Sequence, residues 1–235
     1  MILPALFLVF AQAASPSFVT HVQDAYPAVS PDGSTLVFQS TRSGRWALYL
    51  SDLEGGNVRV LVDSGDDPVV PAWSPNGERI AFAATADGHS EIFIVDRDGT
   101  NRRQLTRDGG DASHPHFARD GRIFFNSGRE VDGREVQEIY SMAQDGSRRR
   151  QHTRCNAVCT FPSPSPDGRF IAYRRVFDTP GLSWAQAPVV RNSEVVVARM
   201  NGSQERNVSG HPAFDGWPVW SLDSRWIVFA SGRDG

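Results

Sequence analysis

One short phrase returns five times along this chain. It reads Tyr26-Pro27-Ala28-Val29-Ser30-Pro31-Asp32-Gly33, then Val70-Pro71-Ala72-Trp73-Ser74-Pro75-Asn76-Gly77, then His114-Pro115-His116-Phe117-Ala118-Arg119-Asp120-Gly121. Phe161-Pro162-Ser163-Pro164-Ser165-Pro166-Asp167-Gly168 and Trp217-Pro218-Val219-Trp220-Ser221-Leu222-Asp223-Ser224 complete the series. The leading proline falls at 27, 71, 115, 162 and 218, with spacings of 44, 44, 47 and 56 residues. A period of this size marks a repeat architecture, in which each unit buries its apolar face only by stacking on its neighbours.

Every unit has the same grammar. A short strand ends in Ser-Pro-Asp-Gly: Pro presets φ, Asp bonds the backbone ahead, and Gly takes the positive φ. A second strand follows, as in Leu36-Val37-Phe38, Ile80-Ala81-Phe82, Ile123-Phe124-Phe125, Ile171-Ala172-Tyr173 and Ile227-Val228-Phe229. The third is Ala47-Leu48-Tyr49-Leu50, Glu91-Ile92-Phe93-Ile94, Glu138-Ile139-Tyr140 or Glu194-Val195-Val196. A second glycine turn, such as Asp98-Gly99-Thr100, leads to a polar fourth strand such as Arg102 to Thr106. Four antiparallel strands in about 40–45 residues make one blade of an all-β propeller. A β-sandwich would not require the same turn at a near-fixed period.

These motifs resemble the TolB-type propeller repeat, most closely over Pro71 to Thr106 and from Asp215-Gly216-Trp217-Pro218 onward. The resemblance spans roughly residues 17–235. It implies a propeller and, as one context, the bacterial cell envelope with a protein partner. The same repeat also occurs in propellers of prolyl-oligopeptidase-like enzymes. The periplasmic TolB protein carries an α/β domain ahead of its propeller, and no such pattern is present here. The sialidase-type Asp box and the Trp-Asp signature of the WD type both fit worse.

Met1 to Phe10 is almost wholly apolar, and Ala11-Gln12-Ala13 places small residues at a cleavage-like site. Residues 1–14 therefore read as a signal peptide and 15–235 as the propeller, which predicts a periplasmic or secreted protein. The apolar run is too short to span a bilayer. The net charge of −3 argues against nucleic-acid binding, and all 24 basic residues are Arg. Cys155 and Cys159 are candidates for a local disulfide, and without paired His spacing they support no zinc site. Ser231 to Gly235 mirrors the start of the second-to-third connection in unit three. The chain thus reads as four full units and half of a fifth, expected to be cut from a five- or six-bladed disc, the alternative being a self-contained chain with an unusual five-blade closure. Phe18 to Val22 reads as a lone fourth strand.

Blade topology puts the second-to-third loops and the fourth-to-first connections on one face of the disc. Length variation concentrates there: the loop is longer in unit three (Gly128 to Val136) and longest in unit four (Phe177 to Asn192), where Trp184 is a candidate interface anchor. Asp24, Asp67, Asp111 and Asp215 stand at the entries to inner strands, with Thr160 in the fourth unit. They suggest a partial acidic ring at the channel mouth. Such a ring suits Ca²⁺ or a cationic partner segment, while the alternative is that each Asp caps its own loop. His114 and His116, two apart, are expected on one side of a strand. With His89 and His211 they allow a metal-dependent, carbohydrate-active reading. A carboxylate pair within the ring would suit glycoside hydrolysis, though none stands out. No Gly-x-Ser-x-Gly elbow is present. The reading that results is a non-enzymatic scaffold binding a protein or peptide at the channel mouth and the variable-loop face. The alternatives are the propeller of a larger hydrolase or a metal-dependent carbohydrate-active enzyme.

Overall fold

The computed structural model describes residues 22–107, 109–176 and 192–233. The proposed signal peptide, most of the Phe18 to Val22 stretch and Trp184 lie outside these residues. All regular structure among them is β. The first blade is β1 (Asp24–Val29), β2 (Leu36–Ser40), β3 (Ala47–Ser51) and β4 (Arg59–Val62). The second is β5 (Val69–Trp73), β6 (Arg79–Ala86), β7 (His89–Asp96) and β8 (Arg103–Gln104). The third is β9 (Ser113–Phe117), β10 (Ile123–Val131), β11 (Arg134–Met142) and β12 (Arg150–Gln151). The fourth is β13 (Val158–Pro164), β14 (Phe170–Val176), β15 (Ser193–Arg199) and β16 (Arg206–Asn207). A two-stranded fifth unit, β17 (Asp215–Trp220) and β18 (Ile227–Ser231), follows. Each full blade pairs in chain order and antiparallel, which is the propeller expected from the repeat.

The repeated turns work as their residues require. Gly33 N–H donates to Ser30 O at 2.9 Å, Ser34 N–H donates to Asp32 Oδ1 at 3.0 Å, and Gly33 sits at φ +69°. The last turn puts Ser224 at this position with φ +59°.

Apolar side chains meet between blades. Leu48, Leu50 and Leu61 of the first blade pack with Trp73, Phe82 and Phe93 of the second. Ile92 and Ile94 meet Phe117, Ile123 and Phe125 at the next seam, and Phe124 and Ile139 meet Ile171 and Tyr173 at the third. The seams are also bonded: Trp73 Nε1 donates to Ala28 O at 3.0 Å, and Trp220 Nε1 donates to Ser163 O at 2.9 Å. Glycines of the third-to-fourth turns close the outer seams. A Cβ at Gly146 would lie 2.9 Å from Leu105 O of the preceding blade, and Gly99 and Gly202 face Leu61 O and His152 O in the same way. Close approach, as well as positive φ, therefore requires glycine here.

Two local expectations are corrected. The stretch Gly128 to Val136 is mainly strand. β10 and β11 stay in register from Ile123↔Met142 to Val131↔Arg134, and Asp132-Gly133 turns the corner with φ of +52° and +73°. Both central residues at positive φ match the twist of a tight hairpin, and Asp-Gly supplies them. The inner strands, read as plain strands, each contain a bulge. Tyr26, Val70, His114, Phe161 and Trp217, the residues just before the five prolines, have φ between +50° and +54°. Pairing with the second strand slips at each of these places. A residue before proline ordinarily stays extended, so five repeats of this exception are a built feature of the fold.

Candidate functional site

The five bulges share a destination. Tyr26, Val70, His114, Phe161 and Trp217 all line one central cavity of about 770 Å³, together with the five prolines that follow them. This volume falls within the roughly 300–1,000 Å³ of small-ligand sites. Aromatic rings form a chain around part of the wall. His114 and Phe161 have ring centroids 3.7 Å apart, Phe161 and Trp217 meet edge-on at 6.0 Å, and Trp217 lies 4.9 Å from Phe214. Among the described residues, no Asp, Glu or Arg lines the cavity.

A polar layer supports this collar. Gln39, Asn126 and Arg174 occupy the same place on β2, β10 and β14, where the second and fifth units have Ala83 and Ala230. Gln39 Oε1 accepts the N–H of Val70 at 2.8 Å, across the first seam. Asn126 Nδ2 donates to Gln137 Oε1 at 2.5 Å, which leaves Asn126 Oδ1 facing His114 Nδ1 at 2.9 Å. That orientation assigns the His114 proton to Nδ1 and leaves Nε2 as an acceptor. The Arg174 guanidinium lies 4.8 Å from the Phe214 ring centre, and a Cβ at Gly216 would sit 3.1 Å from Arg174 Cδ.

Enclosure sets the titration of the lining groups. Burial pushes His114 down to about 4; the Asn126 bond opposes this and the Arg174 charge adds to it. Burial alone pushes His116 down to about 4. Burial also raises Tyr26, with Arg174 acting against it. At neutral pH the two histidines are uncharged.

Among the described residues, the aspartates expected at the mouth form no group placed to hold a metal ion, and Asp24, Asp111 and Asp215 each have a partner of their own. Asp24 and Asp215 occupy equivalent places, three residues before their prolines, whereas Asp67 and Asp111 stand four before theirs. Asp24 is exposed and receives Arg42 Nη2 at 2.9 Å; the Ser40 hydroxyl and that arginine hold its carboxyl below the usual range. Asp215 is buried and receives Arg233 Nη2 at 3.1 Å on both oxygens. Burial would raise its carboxyl, but bonds from Ser231, Arg233 and Ser209 outweigh it and lower it. These two aspartates pin an inner strand to its second strand. Asp67 and Asp111 are exposed at φ +50° and +46°, and Asp111 Oδ1 accepts Ser90 N–H at 3.0 Å and faces His89 at 3.5 Å. Asp111 thus caps the hairpin between β6 and β7 rather than its own loop. Of the histidines, His114 and His116 share the cavity wall, whereas His89 and His211 are elsewhere. Among the described residues, no group of three or more His, Cys, Asp or Glu is placed to hold a metal ion.

Cys155 and Cys159 are joined in a disulfide, with Cα atoms 6.8 Å apart, two residues before Phe161. The loop they close is anchored by Glu138, whose Oε2 accepts Thr153 Oγ1–H at 2.5 Å and Cys155 N–H at 3.1 Å. Thr153 Oγ1 in turn accepts Ile139 N–H at 2.8 Å. Glu91 with Thr106, and Glu194 with Ser209, repeat this latch. Reading the sequence treated the third-strand Glu and the fourth-strand Thr as separate motifs; the structure makes them one. The collar was also missed. Its signal was the recurrent bulky residue ahead of each proline.

The fold and cavity define a β-propeller whose channel wall carries an aromatic collar and, among the described residues, no charged side chain. Residues 26–180 match the family described as the TolB beta propeller domain, and the chain belongs to that family. Putative TolB from Agrobacterium tumefaciens is similar at a TM-score of 0.70 and 22% identity, over 87% of this chain and 73% of that one. TolB from Acinetobacter baumannii is similar at 0.69 and 24%, over 88% of this chain and 48% of that one. This chain therefore spans about half of that protein. An oligogalacturonate lyase from Vibrio parahaemolyticus is similar at 0.62 and 13%, over 89% and 62%. These likenesses show a shared fold. A comparison with curated proteins gave no match. Among the described residues, no helix is long and apolar enough to cross a membrane.

Proposed function

We propose that this chain is an exported, non-enzymatic scaffold that holds a segment of a protein partner in its central channel. The observation that carries the reading is the convergence of five bulged strands on one open, mostly apolar cavity. Bulges held in a sparsely populated conformation recur where a fold presents side chains for recognition. The variable-loop face around Trp184 belongs to the same reading as a second contact region. Export rests on the apolar Met1 to Phe10 run and the small residues after it, and the periplasm is the context suggested by likeness to bacterial TolB.

The test is a photo-crosslinking residue at position 217 in the intact chain, expressed in a bacterial host with its envelope fraction analysed. The expected result is a discrete crosslinked protein that is lost when Phe161 is also changed to Ala. Recovery of the chain only from the cytoplasm would overturn export, and no channel-dependent crosslink would overturn the scaffold. One observation favours a second reading, a metal-dependent carbohydrate-active enzyme: His114 and His116 share the cavity wall. Cleavage of an anionic oligosaccharide, abolished by chelation and by His116→Leu, would establish it.

A further inference from the structure

We propose that the occupant of the channel is an uncharged, extended peptide segment whose prolyl or aromatic side chain seats against Tyr26, Phe161 and Trp217. The inference rests on the peptide-binding reading above and names the chemistry of the ligand.

Three observations carry it. The first is charge. No carboxylate or guanidinium lines the cavity among the described residues. An Asp or Glu brought there would lose its hydration and face the electron-rich rings, and a Lys or Arg would recover only the modest cation–π attraction of those rings against the loss of its own hydration. Arg174, whose charge is felt at Tyr26 and His114, is itself buried, packs over Phe214 and does not line the cavity. The acidic residues that would attract a basic segment are exposed or tied to their own arginines, as described for Asp24 and Asp215.

The second is shape. Rings and the five rigid prolines share the wall, with Tyr26, His114, Phe161 and Trp217 each directly ahead of a proline. Aromatic-lined grooves suit extended, proline-containing segments, whose conformation is largely formed before binding. Tyr26 and Trp217 remain 39% and 46% exposed, so their faces are open to a ligand.

The third is the polar inventory. The lining's side-chain hydrogen-bonding groups are Tyr26, His114, His116 and the indole N–H groups of Trp73 and Trp217. The Trp73 indole is already bonded to Ala28 O, and His114 Nδ1 to Asn126. A neutral glycan would bring many hydroxyls to a wall with few partners. A peptide brings a backbone that the remaining groups can meet, with an apolar side chain for the collar.

The experiment is calorimetric titration of the intact chain with three blocked nine-residue peptides. The first is neutral, built of Pro, Tyr, Ala and Gly. The second and third replace two of its Ala residues by Lys or by Glu. The neutral peptide is expected to bind about tenfold tighter than either charged one. Phe161→Ala and Trp217→Leu are each expected to weaken it about tenfold, while His89→Ala, outside the channel, leaves it unchanged. Circular dichroism melting of each variant separates lost binding from lost folding. Equal or tighter binding of a charged peptide, still sensitive to Trp217→Leu, would overturn this inference and leave the peptide reading standing. Binding insensitive to both collar variants would also overturn it. Failure of all three peptides, with uptake of a neutral oligosaccharide such as cellohexaose, would overturn the peptide reading as well.

Discussion

The imidazole of His114 lies against the ring of Phe161, with centroids 3.7 Å apart, across the seam between the third and fourth blades. Both residues precede a proline and both have positive φ. The contact joins two bulges that the sequence separates by 47 residues, and it covers one side of the imidazole.

Stability should therefore depend on pH in a range where few groups titrate. An unfolded histidine takes its proton near pH 6.5, whereas His114 and His116 take theirs only near 4. Between these values the unfolded chain holds more protons, so stability is full above about pH 7 and falls as the pH drops toward 4. The loss is on the order of 3 kcal/mol or less for each histidine, at about 1.4 kcal/mol per unit. The depressed carboxylates, among them Asp24 and Asp215, lose their contribution only at still lower pH. Burial holds His152 low as well, so it adds to the slope in the same range; urea unfolding at pH 7, 5.5 and 4.5 checks this, and His116→Leu should remove part of the slope. A flat profile in the parent chain would show that the histidines are hydrated.

The latch at Glu138 carries a separate expectation. Thr153 Oγ1 donates to the buried carboxylate and accepts the N–H of Ile139. Thr153→Val keeps the shape and removes both bonds. It leaves a buried charge and a buried donor short of partners, which should cost about 2–4 kcal/mol. The exposed Ser147→Ala should cost under about 1 kcal/mol. Urea midpoints at unchanged slope would measure both.

Much of the fold was legible because repetition multiplies weak local signals. A single Ser-Pro-Asp-Gly turn predicts little, but two copies and three variants of it at a near-fixed period predict blades. The site was less legible. Asp24 and Asp215 looked like ligands because they recur at the entries to inner strands, yet each is paired with an arginine eighteen residues on, Arg42 and Arg233. Pairing across a hairpin is not written in the spacing of one acidic residue. The collar was hidden for a different reason. A residue before proline is expected to be extended, so only the recurrence of a bulky residue at that place, and nothing beside Tyr26 or Trp217 alone, pointed to the cavity.

Glycine positions separate two physical requirements. Gly146 has φ +86°, and a Cβ there would lie 2.9 Å from Leu105 O. Gly133 has φ +73° and open space around it. Gly133→Ala should therefore cost about 1–2 kcal/mol, the left-handed penalty alone. Gly146→Ala should exceed it by about 1 kcal/mol or more, because the backbone carbonyl of the neighbouring blade must move. Equal losses in thermal unfolding would mean that the outer seam is loose.

The disulfide gives the last expectation. Cys155 and Cys159 close a loop of very few residues, and Glu138 Oε1 accepts Asn156 N–H within it at 3.1 Å. Chain entropy assigns so short a loop a stabilisation of about 2 kcal/mol. In a domain of this size that corresponds to a fall of roughly 4–8 °C in Tm on reduction. Cys159 is fully buried and Cys155 nearly so, so a thiol reaches the bond only when the loop opens. Reduction by dithiothreitol should then be slow in buffer and faster in sub-denaturing urea, followed by thiol labelling. Fast labelling without urea would show that this connection opens on its own. A Cys155→Ser, Cys159→Ser double variant with an unchanged Tm would show that Glu138 alone holds the loop.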